Sequence, residues 1–452
     1  MLTSVAGFRS PPHRAVKEFP LLRKAPSSRS MFRSLRHRDY RLFWFGMVVS
    51  NIGTWMQRVA QDWLVLVVLG GGAEAVGITT GLQFLPFLLV TPFGGLLADR
   101  LPKRKLLLAT NAFMGATGLT LGVLVVTGTA QIWHVYVLAF LLGVGTALDN
   151  PARQAFVGEL VDNGELANAV ALNSASFNAA RLIGPGLAGV LIGTIGTGPV
   201  FLLNAVSFGA PVLALLLLSG PAPAAASTSD GGAFARLAEG VRYVRGRPDL
   251  MLVLLVVFGV GTFGLNFQMT TALMATAIYD KGPHAYGLLG SILAIGSLSG
   301  ALLAARRTTP RQRLVVGGAV AFGVLEVTAG LMPNYALFAV SLVPIGVMTM
   351  TVLTAANGYI QTTVPAHMRG RVLSLYVMIL MGGTPAGAPV IGWVADLFGA
   401  RWSLLGGGIL TIACTVLAVL IFARPSGVEL RHPLRTAPHR VATHSVATHS
   451  AS

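Results

Sequence analysis

Residues 50–65 read Ser-Asn-Ile-Gly-Thr-Trp-Met-Gln-Arg-Val-Ala-Gln-Asp-Trp-Leu-Val. They belong to an apolar run over 42–69, yet they carry Asn51, Gln57, Arg58, Gln61 and Asp62. On a helix Asn51, Arg58 and Asp62 share one face, at steps of seven and four, and Thr54, Gln57 and Gln61 border it. An ionised side chain in hydrocarbon costs about 2.5–3.5 kcal/mol even on the lenient insertion scale. If this run crosses a bilayer, that face must look into protein or water.

Composition says that it does cross one. Of 452 residues 54% are hydrophobic and only 11% charged, with a mean hydropathy of +0.70. A soluble domain is nearer a quarter charged, so too few polar residues are present to cover a water-facing surface. Twelve runs approach the roughly 20 residues needed to span the hydrocarbon core: 42–69, 76–98, 106–127, 132–150, 166–193 and 197–218, then 250–278, 286–305, 314–332, 335–361, 372–395 and 402–423. The fold class expected is all-α, a polytopic membrane protein with twelve transmembrane helices in two six-helix bundles. The divisions are a basic tail (1–40), a first bundle (41–218), a linker (219–249), a second bundle (250–424) and a disordered tail (425–452). Cys414 is the sole cysteine and excludes an internal disulfide.

The positive charges alternate with the runs. All lysines and arginines except Arg58, Arg181, Lys281 and Arg401 fall in the tails or in every second connection. The positive-inside rule then places both termini on the cytoplasmic side of the membrane that the chain crosses many times. The net charge of +17 is explained by topology and calls for no nucleic acid. Within the linker Phe234, Leu237, Val241 and Val244 share a helical face, with Arg236, Arg242 and Arg245 outside it. That pattern suits a helix on the membrane surface or a solvated linker helix.

The halves echo one another. Asn150-x-x-x-Gln154-x-x-Val157 recurs as Asn357-x-x-x-Gln361-x-x-Val364, Ala75-Val-Gly77 as Ala285-Tyr-Gly287, and Gln57 is matched by Gln268. The nearly constant offset points to an ancient duplication, a plan known among transporters.

Over residues 31–424 the chain resembles the major facilitator superfamily. The run Gly95-Leu-Leu-Ala-Asp99-Arg100-Leu-Pro102-Lys103-Arg104 looks like that superfamily's loop between helices 2 and 3, with Pro102 where the general pattern has Gly. Arg181-Leu-Ile-Gly184-Pro185-Gly186-Leu-Ala-Gly189 is similar to the Gly-Pro motif of drug/proton antiporters. Leu166-Ala-Asn-Ala-Val-Ala-Leu-Asn173-Ser and Arg369-Gly370-Arg371 resemble the bacterial enterobactin-exporter-like and macrolide-efflux-like subgroup. The resemblance implies export by alternating access. It also implies that the first, seventh and tenth helices line the cavity, so Asn51, Gln57, Gln61, Asn266, Gln268, Asn357 and Gln361 are candidates to meet substrate. By the same resemblance Gly95, Asp99, Arg100, Arg104, Arg369 and Arg371 form a cytoplasmic gate, in which Asp99 docks on the start of the eleventh helix. The second half has Ala304 where its acid would stand, so the latch is one-sided.

The remaining charges set the chemistry. Arg58 and Asp62 can pair at i, i+4. Burial favours a neutral carboxyl and a nearby guanidinium favours the ionised one, so Asp62 is either half of a fixed ion pair or a proton carrier. Arg181 either completes a structural pair or receives an anionic group. Glu326 is a packing residue or a second candidate for the proton. Pro185 removes a helical hydrogen bond and, with Gly184 and Gly189, permits a bend. No phosphate-binding loop occurs, so the power source is an ion gradient, such as that of protons, or the solute's own gradient; no cofactor or metal is expected. The reading is a monomeric exporter, not an enzyme, that exchanges a hydrophobic or siderophore-like small molecule for protons. A uniporter or uptake carrier, and a non-transporting sensor or scaffold, remain as alternatives.

Overall fold

The computed structural model describes residues 32–162, 164–218, 233–306 and 311–422, without the side chains of 91–100 and 233–237. All regular elements among them are helical. Eleven spans are long and apolar enough to cross a membrane. The twelfth, α1 (Arg38–Trp63), is the opening stretch itself. Its charges lower its hydropathy, and neighbouring helices rather than lipid receive much of its surface: Asn51, Gln57, Gln61 and Asp62 are all buried.

The other spans are α2 (Gly72–Arg100), α3 (Lys103–Val126), α4 (Ile132–Glu159), α5 (Leu166–Ile195), α6 (Thr197–Leu216), α7 (Pro248–Ile278), α8 (Pro283–Ala305), α9 (Gln312–Gly330), α10 (Tyr335–Thr363), α11 (Ala366–Phe398) and α12 (Trp402–Phe422). Local chemistry sets several boundaries. Gln131 and His134 form a reciprocal capping box that starts α4. The Asn334 side chain accepts from Leu337 N at 2.9 Å to start α10. Gly196 and Gly399 end α5 and α11 at φ of 84° and 96°, a conformation that glycine adopts without strain. Large apolar side chains such as Val206, Leu420 and Val340 remain exposed on the outside, a surface suited to acyl chains.

Packing repeats between the halves. In the first half α2 lies on α4, α3 on α6 and α1 on α5; in the second α8 lies on α10 and α9 on α12. The halves meet mainly where α2 crosses α11 and α5 crosses α8. The duplication is visible in the backbone too. A π turn over Leu64–Val68 ends α1, and another over Met274–Ile278 ends α7, 210 residues later. Gly71 N donates to Val65 O, and Lys281 N donates to Ala275 O, each at 2.8 Å.

The backbones of the two crossings approach most closely toward one end. At Gly77 a Cβ would overlap the Ala388 carbonyl oxygen, and at Gly287 it would overlap that of Pro185. At Gly189 it would lie 2.6 Å from Pro283 O. Only glycine permits backbones this close. Asp396, at the end of α11, accepts from Ala73 N and Glu74 N, both at 2.8 Å, and so caps the start of α2 from the other half. A carboxylate gains about 0.3–1 kcal/mol at a helix N-terminus. This end is closed. A cavity between the halves widens toward the opposite end, which carries Arg153 and Gln154.

The linker helix, Ala233–Arg245, packs on the start of α11 rather than lying free. Val244 is buried, Gly240 abuts Arg371, and Arg371 donates to Glu239 at 2.6 Å. Phe234, Arg236 and Leu237 fall among the side chains not described, and the outer parts of both tails lie outside the described residues.

Candidate functional site

The cavity holds about 590 Å³ and is lined from both halves. Its closed end is built on α1 and α5. Arg58 stacks between two rings, its guanidinium carbon 4.9 Å from the Trp55 centroid and 5.4 Å from that of Phe84. Arg181 approaches the same Trp55 ring at 5.8 Å. Arg58 Nε is buried without a hydrogen-bond partner.

The expected Arg58–Asp62 pair is not made. Asp62 is 4% exposed and lies just beyond the cavity floor. Its Oδ2 accepts from the Tyr286 hydroxyl at 2.9 Å. Tyr286 belongs to α8 of the other half, and its ring stacks on Trp63 at 6.3 Å between centroids. Arg58 turns instead to its aromatic neighbours, which satisfy a guanidinium face while its edge stays free.

Of the seven candidate substrate residues, Asn51 and Gln268 line the cavity. The other five do not line it. Gln57 is buried in the first half, where Asn204 Nδ2 donates to its Oε1. Gln61 is buried away from the cavity. Asn266 Nδ2 turns back to Thr262 O and Phe263 O at 3.0 and 3.2 Å. Gln361 donates to Asn357 near the open end. An amide can be satisfied by a neighbouring helix as well as by a ligand, and each of these except Gln61 has a protein partner.

The wide end holds a second polar group. Asp149 pairs with Arg153 at 3.4 Å and accepts from Thr110 Oγ1 at 3.0 Å and Asn111 Nδ2 at 2.9 Å. Arg153 reaches Asn51 Oδ1 at 3.4 Å and Asn150 Oδ1 at 3.3 Å. The Asp149–Arg153 pair ties three helices, α3 and α4 through the carboxylate and α1 through the guanidinium. Removing one partner of a buried pair leaves the other uncompensated, at about 3–5 kcal/mol. Asp149→Ala is therefore expected to lower the unfolding temperature of the detergent-solubilised protein markedly. An unchanged melt would show that the network adds nothing to stability.

Glu326 lies apart from this system. It is 2% exposed on α9, beside Gly407 and Gly408 of α12, with Oε2 unpartnered. It does not line the cavity. A buried carboxyl oxygen without a partner carries a desolvation cost that no hydrogen bond offsets, so Glu326→Leu is expected to keep or raise the thermal midpoint. A lower midpoint would point to an internal partner.

In the gate set, Arg104 Nη2 donates to Leu216 O at 3.3 Å, Lys103 pairs with Glu159, and Arg369 is exposed. The side chains of Gly95, Asp99 and Arg100 lie outside the described part, and so does their contact with α11. The helix of α5 runs through Pro185 unbroken. Gly184 faces Trp55, and Gly189 faces α8.

A family described as "Transmembrane secretion effector" matches residues 29–449. The chain belongs to this family of the major facilitator superfamily. Relatives of this transporter include the multidrug efflux pump Tap of Mycolicibacterium fortuitum, 27% identical over 84% of this chain and 95% of that one. The staphyloferrin A transporter of Staphylococcus aureus is 25% identical over 82% and 93%. Macrolide efflux protein A of Streptococcus pyogenes is 22% identical over 81% and 92%. In fold the transporter is similar to an inward-facing bacterial homolog of the lysosomal transporter Spinster, with TM-score 0.68, 14% identity and coverage of 86% and 98%. It is also similar to a D-xylose–proton symporter, with TM-score 0.65, 13% identity and coverage of 86% and 97%. It is a multi-pass membrane transporter, and its family and relatives are transporters rather than enzymes.

Proposed function

We propose that this transporter exports a bulky hydrophobic or siderophore-like molecule across the bacterial cytoplasmic membrane in exchange for protons, as a monomer with both termini in the cytoplasm. Positive-inside topology puts the open end of the cavity on the cytoplasmic side, so the described state faces inward. Names of relatives that include multidrug, siderophore and macrolide carriers support export of such solutes.

One observation carries the coupling: the Asp62 carboxylate accepts the Tyr286 hydroxyl across the two halves at the closed end. A charge-assisted hydrogen bond is about twice as strong as a neutral one. Ionised Asp62 therefore holds the empty carrier inward, and protonation loosens the tie. An empty carrier that cannot turn outward cannot leak protons. Arg58 and Arg181 tune the acid, Asp99 latches the cytoplasmic gate in the opposite state, and Gly184-Pro185 lets α5 flex. The test is flux in reconstituted vesicles with an imposed pH gradient, using a radiolabelled macrolide and a set of hydrophobic dyes, with a pH dye inside. Solute movement coupled to proton movement supports the reading. Solute flux indifferent to the gradient would favour a uniporter, and none for any solute would favour a sensor or scaffold.

A further inference from the structure

The closed end of the cavity carries more positive charge than its carboxylates balance. Arg58 and Arg181 both stand against Trp55, and among the described residues neither has a salt bridge. The one acid nearby, Asp62, lies behind the floor and is turned to Tyr286. The other acid of the cavity, Asp149, is bound to Arg153 and to two donors at the wide end. Unpartnered polar atoms at the floor are donors as well: Arg58 Nε and Gln268 Nε2 are both buried with no acceptor. Stacking on Trp55 and Phe84 holds the guanidinium by its face and leaves its in-plane N–H groups for a ligand. Apolar surface from Trp55, Phe84, Phe87, Phe177 and Phe267 surrounds these donors.

We infer that Arg58 and Arg181, flanking Trp55, form a subsite for a carboxylate or other anionic group of an amphipathic aromatic or aliphatic solute. The inference rests on the transporter reading above and narrows its substrate class from hydrophobic molecules in general to organic anions. Outward movement of an anion is also favoured by an inside-negative membrane potential, which agrees with export.

Three isosteric probes test it on the full chain in detergent: 1-naphthylacetate, 2-(1-naphthyl)ethanol and 2-(1-naphthyl)ethylammonium. Binding is read by titration calorimetry against protein-free micelles. The acetate is expected to bind at least about tenfold more tightly than either isostere, because charge-assisted bonds to guanidinium need an anionic acceptor. Arg58→Gln and Arg181→Gln are each expected to weaken the acetate about tenfold and leave the alcohol alone. Arg181→Lys is expected to recover part of the loss, a point charge replacing a planar fork. Equal binding of all three probes by the wild type, which needs no variant to fold, would overturn the subsite. So would an unchanged acetate affinity in both glutamine variants. If the acetate is preferred but vesicles show no proton-coupled flux, the coupling reading fails and the subsite stands. If flux is coupled but the probes are not distinguished, the reverse holds.

Discussion

Asp62→Asn is expected to abolish gradient-driven accumulation while leaving downhill movement of solute intact. The size follows from the gradient. One pH unit is worth about 1.4 kcal/mol, or tenfold in a concentration ratio. With one proton exchanged per solute, a gradient of two units supports a ratio of about 100-fold at steady state. Asparagine keeps the shape of aspartate and can still accept from Tyr286, but it cannot take up a proton. The variant should therefore equilibrate its solute at a ratio near one, whatever gradient is imposed. Vesicles loaded with labelled solute, with and without the gradient, give the comparison directly. Accumulation by Asp62→Asn that still tracks the gradient would remove Asp62 from the coupling role. Glu326 would not be the obvious replacement, since it borders α12 in the second half rather than the cavity.

The transporter fold was legible because it rests on coarse quantities. Span length, apolar content and the alternation of Lys and Arg are sums over many residues, and single misreadings do not disturb them. That Asp62 is shielded from lipid was legible for a related reason, since a carboxylate inside an apolar run needs a polar partner or water. Its partner was not. Tyr286 sits in Ala285-Tyr-Gly287, a segment noted only as the echo of Ala75-Val-Gly77. The glycines of the two copies do the same work at the two crossings between halves. The middle residue is where they differ, Val76 against Tyr286, and that departure from the repeat was the available signal. A hydroxyl present in one copy alone marks a task the other copy lacks.

Rotation about the helix axis was the quantity that sequence spacing could not supply finely enough. Gln57 and Arg58 are neighbours about 100° apart on α1, and the first turns to Asn204 while the second faces the cavity. The i, i+4 spacing of Arg58 and Asp62 permitted a pair, but Trp55 and Phe84 compete for the same guanidinium. Which contact wins depends in part on Phe84, an aromatic group of a different helix. The capping of α2 by Asp396 crosses 323 residues of chain and has no local signature.

Gly77→Leu is expected to turn the carrier outward. The closed end depends on α2 lying directly against α11, with Ala388 O overlapping any Cβ at Gly77 and Pro389 Cα 3.1 Å from it. Overpacking of this kind costs about 1–3 kcal/mol. That strain exists only while the two halves touch there, because Gly77 and Ala388 belong to different halves and separate when this end opens. The whole penalty thus falls on the inward-facing state, and its population relative to the outward-facing one should drop by about 5- to 150-fold. A single cysteine reports the change. Thr146 lines the cavity, and Cys414 is the only native thiol. In a Cys414→Ser, Thr146→Cys background, an impermeant maleimide added outside cells should label slowly without the leucine and much faster with it. Gly317→Leu serves as the control, since a Cβ at that position meets nothing within 4 Å. If Gly77→Leu folds to the same yield as the control and outside labelling does not rise, the α2–α11 crossing is not the surface that must part for the cavity to open outward.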